Sequence, residues 1–222
     1  MGNELWSLPE IDCVQGNGYI RPPNHTPNHV INFDRYLQEV EHFHKPVLVA
    51  EYGGRSELGV PSEDYLCGQL HSGIWASFTS PFAGVALHWW WNFVEGADLY
   101  DHYRGLSRFA LGIDRIAKDY HPVRPKVSGP GEQLFASGMQ DADSGFYWVY
   151  HPDLFEHWRE VPTVNGAIVR LAGLAPGRYR VDFWDTLAGA IIDTREVTLT
   201  GNDDILLPKV ARDLALKIHR LE

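Results

Sequence analysis

The chain lacks several things, and each absence excludes something. Its 222 residues include only two cysteines, Cys13 and Cys67. They stand neither at the spacing of a redox or zinc motif nor in a dense framework, so two buried thiols are expected rather than a disulfide scaffold. No apolar run approaches the ~20 residues that cross a bilayer, and the longest, Gly84 to Trp91, is strand-sized. The opening residues MGNELWSLPEI carry neither a basic stretch nor an apolar core, so no secretory signal is expected in them, and extracellular and cytoplasmic locations stay equally open. Basic residues are outnumbered, 19 against 29 acidic, for a formal charge of −10. With no local basic patch, that balance argues against nucleic acid and anionic membrane surfaces as partners. No Gly-rich loop ending in Lys-Ser/Thr is present to hold phosphates, and QGNGY (Gln15 to Tyr19) lacks the continuation of a dinucleotide fingerprint. His25 and His29 are four apart, but Pro22, Pro23 and Pro27 forbid the helix that paired zinc histidines use. They read as loop histidines, and no metal site is expected.

What is abundant is aromatic: 8 Trp, 10 Tyr and 10 Phe, enough to build either a large core or a stacking surface. The first half alternates strands with helices. Ile11 to Gln15 is a short apolar run, and Phe33 to Lys45 repeats apolar residues at helical spacing. Pro46 to Tyr52 is a compact strand closed by Gly53 and Gly54. A helix from Pro61 and Ser62 runs towards Ser80, a third strand spans Gly84 to Trp91, and a helix covers Tyr103 to Tyr120. Three such units predict a parallel sheet with helical crossovers over residues 1–122. The proline- and glycine-rich stretch 123–131 reads as a linker. Over 132–222 the period becomes two in six short segments, which predicts an antiparallel β-sandwich able to close its own core. The expected fold class is therefore α/β followed by all-β.

Glu51 is the carboxylate of greatest interest, because it ends the strand VLVAE, and the C-terminal ends of parallel strands carry active sites. An ion pair with a nearby Lys or Arg is the alternative. HWWWN (His88 to Asn92) ends the next strand, and alternation places His88, Trp90 and Asn92 on one face and Trp89 with Trp91 on the other. An indole there can stack on a sugar ring or fill the core. Asp12, Asp34, Glu39 and Glu41 read as solvated charge, while Glu95 follows the third strand in a loop within reach of a cleft.

Taken together these segments resemble clan A glycoside hydrolases, the retaining (β/α)8 barrels typified by glycoside hydrolase family 5. KPVLVAEYGG at Lys45 to Gly54 resembles their seventh strand with its nucleophile, and GVALHWWWNF at Gly84 to Phe93 the eighth with its sugar-stacking Trp. LPEIDCVQGNGY at Leu8 to Tyr19 resembles the sixth, with Asn17 where a His is usual and Tyr19 retained. PGRYRVDFWDTLAGAII is similar to the sandwich appended to some of these enzymes. The resemblance implies the last three units of a barrel, with Glu51 as nucleophile and Tyr19, Asn17, His88, Trp90 and Trp91 around a carbohydrate substrate, and no cofactor. It also implies that the acid/base, an Asn-Glu pair on a fourth strand, is absent here. Asn3-Glu4 lies too close to the sixth strand to serve, and reads as loop. Association with a missing N-terminal barrel portion, or a homo-oligomer, follows from the open sheet. A non-catalytic carbohydrate-binding or assembly module is the rival reading.

Overall fold

The computed structural model describes residues 3–20, 27–54, 61–131 and 133–221. Helices and sheets are mixed along the chain. A short helix, α1 (Asn3–Trp6), precedes β1 (Val14–Tyr19), α2 (His29–Val40) and β2 (Val47–Gly53). Asn3 and Glu4 thus begin a helical turn rather than a loop, and Lys45 Nζ donates to the carbonyls of Trp6 (2.7 Å) and Leu8 (2.6 Å), tying that turn to the entry of β2. The amphipathic α2 starts four residues earlier than its apolar spacing suggests, because Asn28 caps it by accepting from the Ile31 amide. β1 and β2 pair in parallel.

The third predicted strand is the first correction. Residues 83–89 follow the free edge of β2 through four backbone hydrogen bonds, with Ala83 donating to Val47, Leu87 to Val49, Tyr52 to Leu87 and Trp89 to Tyr52. Only the Tyr52–His88 pair forms a parallel bridge. The chain then leaves the sheet, since Trp91 already begins the helix α4 (Trp91–Gly96). The helix expected over Tyr103 to Tyr120 is α5 (Tyr100–Ala110). It stops early because Gly112 takes a left-handed conformation (φ 78°) and Asp114 opens a turn by accepting from the amides of Ile116 and Ala117.

Between β2 and α4 lies α3 (Glu63–Phe78), capped by Ser62, and every residue from Leu66 to Phe78 is buried. A helix apolar all round needs cover all round. One side receives Tyr52, whose hydroxyl donates to the Leu70 carbonyl at 2.9 Å. The opposite side meets the second half of the chain, where Trp75 stacks on Trp148 at 6.4 Å and Phe78 packs on Phe146 at 5.2 Å.

That second half contains β3 (His121–Val123), β4 (Lys126–Ser128), β5 (Phe135–Gln140), β6 (Ser144–Tyr150), β7 (Ile168–Ala172), β8 (Gly177–Asp185), β9 (Ala190–Leu199), β10 (Asn202–Leu206) and β11 (Asp213–Arg220). A six-stranded antiparallel sheet of order β3-β5-β6-β11-β8-β9 faces a three-stranded one of order β10-β7-β4. The stretch read as a linker contains β4, which pairs with β7 as an edge strand, and begins at the last residue of β3, which pairs with β5 at the edge of the other sheet. Its prolines are compatible with edges, where a ladder donor is not required.

Two cores result. One lies between the sheets, with Tyr147, Val149, Val169, Val181, Phe183 and Leu216. The other joins the outer face of the large sheet, through Phe146, Trp148, Tyr150 and Ala215, to α2, α3, α5 and the parallel sheet. β6 is therefore buried on both faces, which is why FYWVY is a continuous apolar run rather than an alternating one. The sandwich has a core of its own between the sheets, and its large sheet also carries an apolar outer face that the helices cover. Contact between the halves is close enough that a Cβ on Gly68 of α3 would run into the Leu154 carbonyl. Arg124, in the turn from β3 to β4, adds a bidentate pair to Asp34 of α2, whose Nε–Oδ2 arm is 2.9 Å, so Asp34 is not merely solvated charge.

Candidate active site

The parallel register of β1 and β2 sets Asn17 beside Glu51 and Tyr19 beside Gly53. Val47 and Val49 point towards the helices, as does Tyr52 three residues on. An irregularity in the pairing beside Gly16 and Asn17 absorbs the extra residue, Ala50, and turns Glu51 to the opposite face. On β1 the same alternation sends Gly16 and Gly18 towards Tyr36 and Phe33 of α2, and Asn17 and Tyr19 towards Glu51.

Glu51 is half-buried. The Tyr19 hydroxyl donates to its Oε2 at 2.8 Å and the Asn17 amide donates to the same oxygen at 3.1 Å. Oε1 has no partner among the described residues, and no Lys or Arg among them pairs with this carboxylate. The ion-pair alternative thus finds no cation among the described residues. One carboxylate oxygen is anchored by two donors and the other is presented at a strand end. Asn17, which departs from the resembled pattern, still supplies a hydrogen bond to the carboxylate.

Trp90 belongs to the same face. A Cβ built on Gly53 would lie 3.2 Å from the Trp90 indole nitrogen and 3.6 Å from the Tyr19 ring, so this glycine lets the indole approach the strand end beside Glu51. Trp91 is 69 % exposed and opens α4. His88 is separated from the cluster. It is buried, packs edge-on against Tyr52 at 4.9 Å, and neither ring nitrogen has a partner. Burial, with a smaller contribution from His29, lowers its pKa to about 3. The alternation that placed His88 with Trp90 fails because the chain turns into α4 between them.

Other sequence candidates settle differently. His29 is not a loop residue: it starts α2, fully buried, with Nε2 hydrogen-bonded to Gln69 at 2.8 Å. His25 lies outside the described residues. Glu95 accepts from the Tyr100 hydroxyl on an exposed surface. Among the described residues no three His, Cys, Asp or Glu side chains converge as a metal site, and no helix is long and apolar enough to cross a membrane. Both cysteines are free thiols. Sequence reasoning missed the β1–β2 irregularity that turns Glu51 to the open face, since it depends on pairing between strands rather than on either strand.

No protein-family model and no curated protein matches the sequence. Solved structures do match in three dimensions. One, described as a glycoside hydrolase, superposes on 96% of this chain with a TM-score of 0.55 at 12% identity. A glycoside hydrolase family 5 structure from Bacteroides vulgatus ATCC 8482 covers 94% with a TM-score of 0.54 at 10% identity. The match takes in 53% of the first chain and 50% of the second, so this chain spans about half the length of either. The likeness is one of fold: the chain has a glycoside-hydrolase-like arrangement over the part it shares with them.

Proposed function

We propose that the chain is the C-terminal part of a retaining β-glycoside hydrolase, comprising the last three βα units of a (β/α)8 barrel and an appended sandwich. The observation that carries this reading is the Glu51 carboxylate, held through Oε2 by Tyr19 and Asn17 at the C-terminal end of a parallel strand, with no partner for Oε1 and no cation beside it among the described residues. In the proposed reaction Oε1 attacks the anomeric carbon of a β-linked sugar. The leaving-group oxygen takes a proton from a second carboxyl group ~5–5.5 Å away, and water then cleaves the glycosyl ester. Tyr19 and Asn17 orient the nucleophile, Trp90 floors the sugar site, and Trp91 offers an outer platform. His88, behind the sheet, supports Tyr52 rather than touching substrate. The chemistry needs neither a metal nor an organic cofactor.

No second carboxylate touches Glu51 among the described residues, so the acid/base is assigned to barrel units outside this chain. Leu87 is 64 % exposed and the outer edge of β1 is unpaired among the described residues, the condition of a sheet that expects more strands. Those strands belong to the N-terminal barrel portion, with self-association as the competing way to cover the face. The absence of that second carboxylate also favours the rival reading, a carbohydrate-binding module without catalysis.

The test is covalent labelling with a 2-deoxy-2-fluoro β-glycoside carrying a dinitrophenolate leaving group, which departs with little acid assistance. The label is expected on the peptide containing Glu51 and is expected to vanish in Glu51→Gln. A label on another carboxylate, or none with the barrel completed, removes Glu51 from the role.

A further inference from the structure

A second cluster of polar side chains lies where the helices meet the sandwich, away from Glu51. Asp213, at the start of β11, is buried beneath α3. The indole of Trp148 donates to its Oδ2 at 2.6 Å, and the Thr186 hydroxyl donates to Oδ1 at 2.7 Å. His71 of α3 places Nε2 2.8 Å from the same Oδ2 and Nδ1 2.9 Å from Nδ1 of His102 on α5. Burial alone would raise the Asp213 carboxyl, but the His71 charge and hydrogen bonds from His71, Trp148 and Thr186 outweigh it and hold the group below its ordinary range. One proton must sit between the two Nδ1 atoms, because a hydrogen bond needs one donor and one acceptor. The relay therefore fixes the His102 ring, and Nε2 is the nitrogen left to face outward.

His102 lines a surface cavity of about 390 Å³ between α3, the start of α5 and the sandwich. Arg212 forms another wall. Its guanidinium lies over the Trp158 ring at 4.3 Å, its Nε is occluded and unpartnered, and no described residue accepts from its terminal nitrogens. A partly buried guanidinium without an acceptor among the described residues is an unusual expense, and its fork matches a carboxylate. The rim carboxylates Glu63 and Asp101 are engaged by Arg159 and Arg104, leaving Asp98 with no ion-pair partner among the described residues. A dianion would face that acidic rim, whereas a single carboxylate on a body bearing hydroxyls would satisfy both signs of charge. Cys67 also lines the cavity, but burial pushes its thiol up to about 11, so it offers no nucleophile.

We propose that this cavity is a second ligand site that takes a hydroxylated monocarboxylate, with the carboxylate on Arg212 and a hydroxyl on Nε2 of His102. A hydroxyl suits either polarity of that nitrogen, since it both donates and accepts. Trp158 is already engaged by Arg212, 4.3 Å from its ring centre, and by His71 and His102 at 4.9 and 4.8 Å, so the site recognises by charge and hydrogen bonding rather than by stacking.

The experiment titrates the full chain with D-glucuronate, D-glucose and inorganic phosphate, reading heat and the imidazole resonances of His102. Glucuronate is expected to bind saturably and shift His102, with glucose at least ~10-fold weaker for want of the charge-assisted contact. Arg212→Gln is expected to weaken glucuronate binding by a similar factor. Arg212→Lys, which keeps the stem and charge on Trp158 but loses the fork, should weaken it as well. Glu51→Gln should leave it unchanged. No saturation with glucuronate at tens of millimolar, equal binding of glucose, preference for phosphate, or loss of binding in Glu51→Gln would each overturn the proposal.

Discussion

Acidification is expected to unfold this protein well above the range in which carboxylates titrate, because three histidines are buried in neutral form. His88 and His102 have pKa values lowered to about 3 and His29 to about 4, from 6.5. Burial is the largest cause in each. The His29 charge adds to it at His88, His71 and Arg212 add to it at His102 against Asp213, and the Gln69 bond opposes it at His29. The unfolded chain binds these protons at 6.5 and the folded chain does not. Stability is therefore whole above that pH and falls as pH drops through the window between 6.5 and the folded values. At about 1.4 kcal/mol per unit, each histidine costs ~2 kcal/mol by pH ~5, and the three together ~6 kcal/mol. That is comparable with the 5–15 kcal/mol that holds a typical domain together. Urea unfolding followed by tryptophan fluorescence at pH ~7.5 and ~5 and constant ionic strength measures the difference. His88→Phe isolates one share of it: both ring nitrogens of His88 are unpartnered against Tyr52, so phenylalanine loses no hydrogen bond. The variant should match or exceed the parent near neutrality and lose about a third of the pH sensitivity. Equal stability of the parent at the two pH values, or an undiminished slope in His88→Phe, would refute the reasoning.

Three further outcomes are expected. In an assembly that turns over aryl β-glycosides, Tyr19→Phe should lower kcat by ~10–100-fold, the worth of one hydrogen bond to a charged group, and Asn17→Ala, with the longer bond, by less; steady-state kinetics reads both. Gly68→Ala forces a methyl against the Leu154 carbonyl, in the contact between α3 and the sandwich, and should cost ~1–3 kcal/mol in urea unfolding. Residues 133–221 expressed alone should bind a hydrophobic dye and self-associate on gel filtration, since Phe146, Trp148 and Tyr150 lose their cover; a monomeric, dye-silent fragment would show that face to be tolerable in water.

The sandwich strands were legible because each carries its own signal, alternation bounded by glycine and proline turns, and an antiparallel neighbour seldom disturbs that signal. Glu51 was legible for a related reason: VLVAE followed by two glycines marks a strand end from local residues alone. The errors fall where a partner decides the outcome. His88, Trp90 and Asn92 alternate on paper, yet the chain leaves the sheet at Trp89 because α4 begins at Trp91. Prolines at 122 and 125 announce a break, but at an edge they are compatible with pairing, and β3 and β4 use that. His29 sits in a proline-rich context that suggests a loop, whereas Asn28 caps a helix there and Gln69 on a distant helix receives the imidazole.

The same distinction bears on the joint between the halves. A change of period near residue 131 suggests two independent units, and each half does have its own hydrogen-bonding scheme. Burial divides the chain elsewhere. α3 has no solvent face because it is covered by Tyr52 of the parallel sheet on one side and by Phe146, Trp148 and Tyr150 of β6 on the other. The Asp213–His71–His102 relay spans that contact with polar groups satisfied only when both halves are docked. Removing the sandwich would strip α3 of half its cover and leave His71 without its carboxylate, so the strands that present Glu51 depend on a sheet that never touches it. The sandwich is thus the second wall of the helical layer on which the Glu51 strand rests, and substitutions at Trp148 or Asp213 should be felt at Glu51 through α3 and Tyr52 rather than through any direct contact.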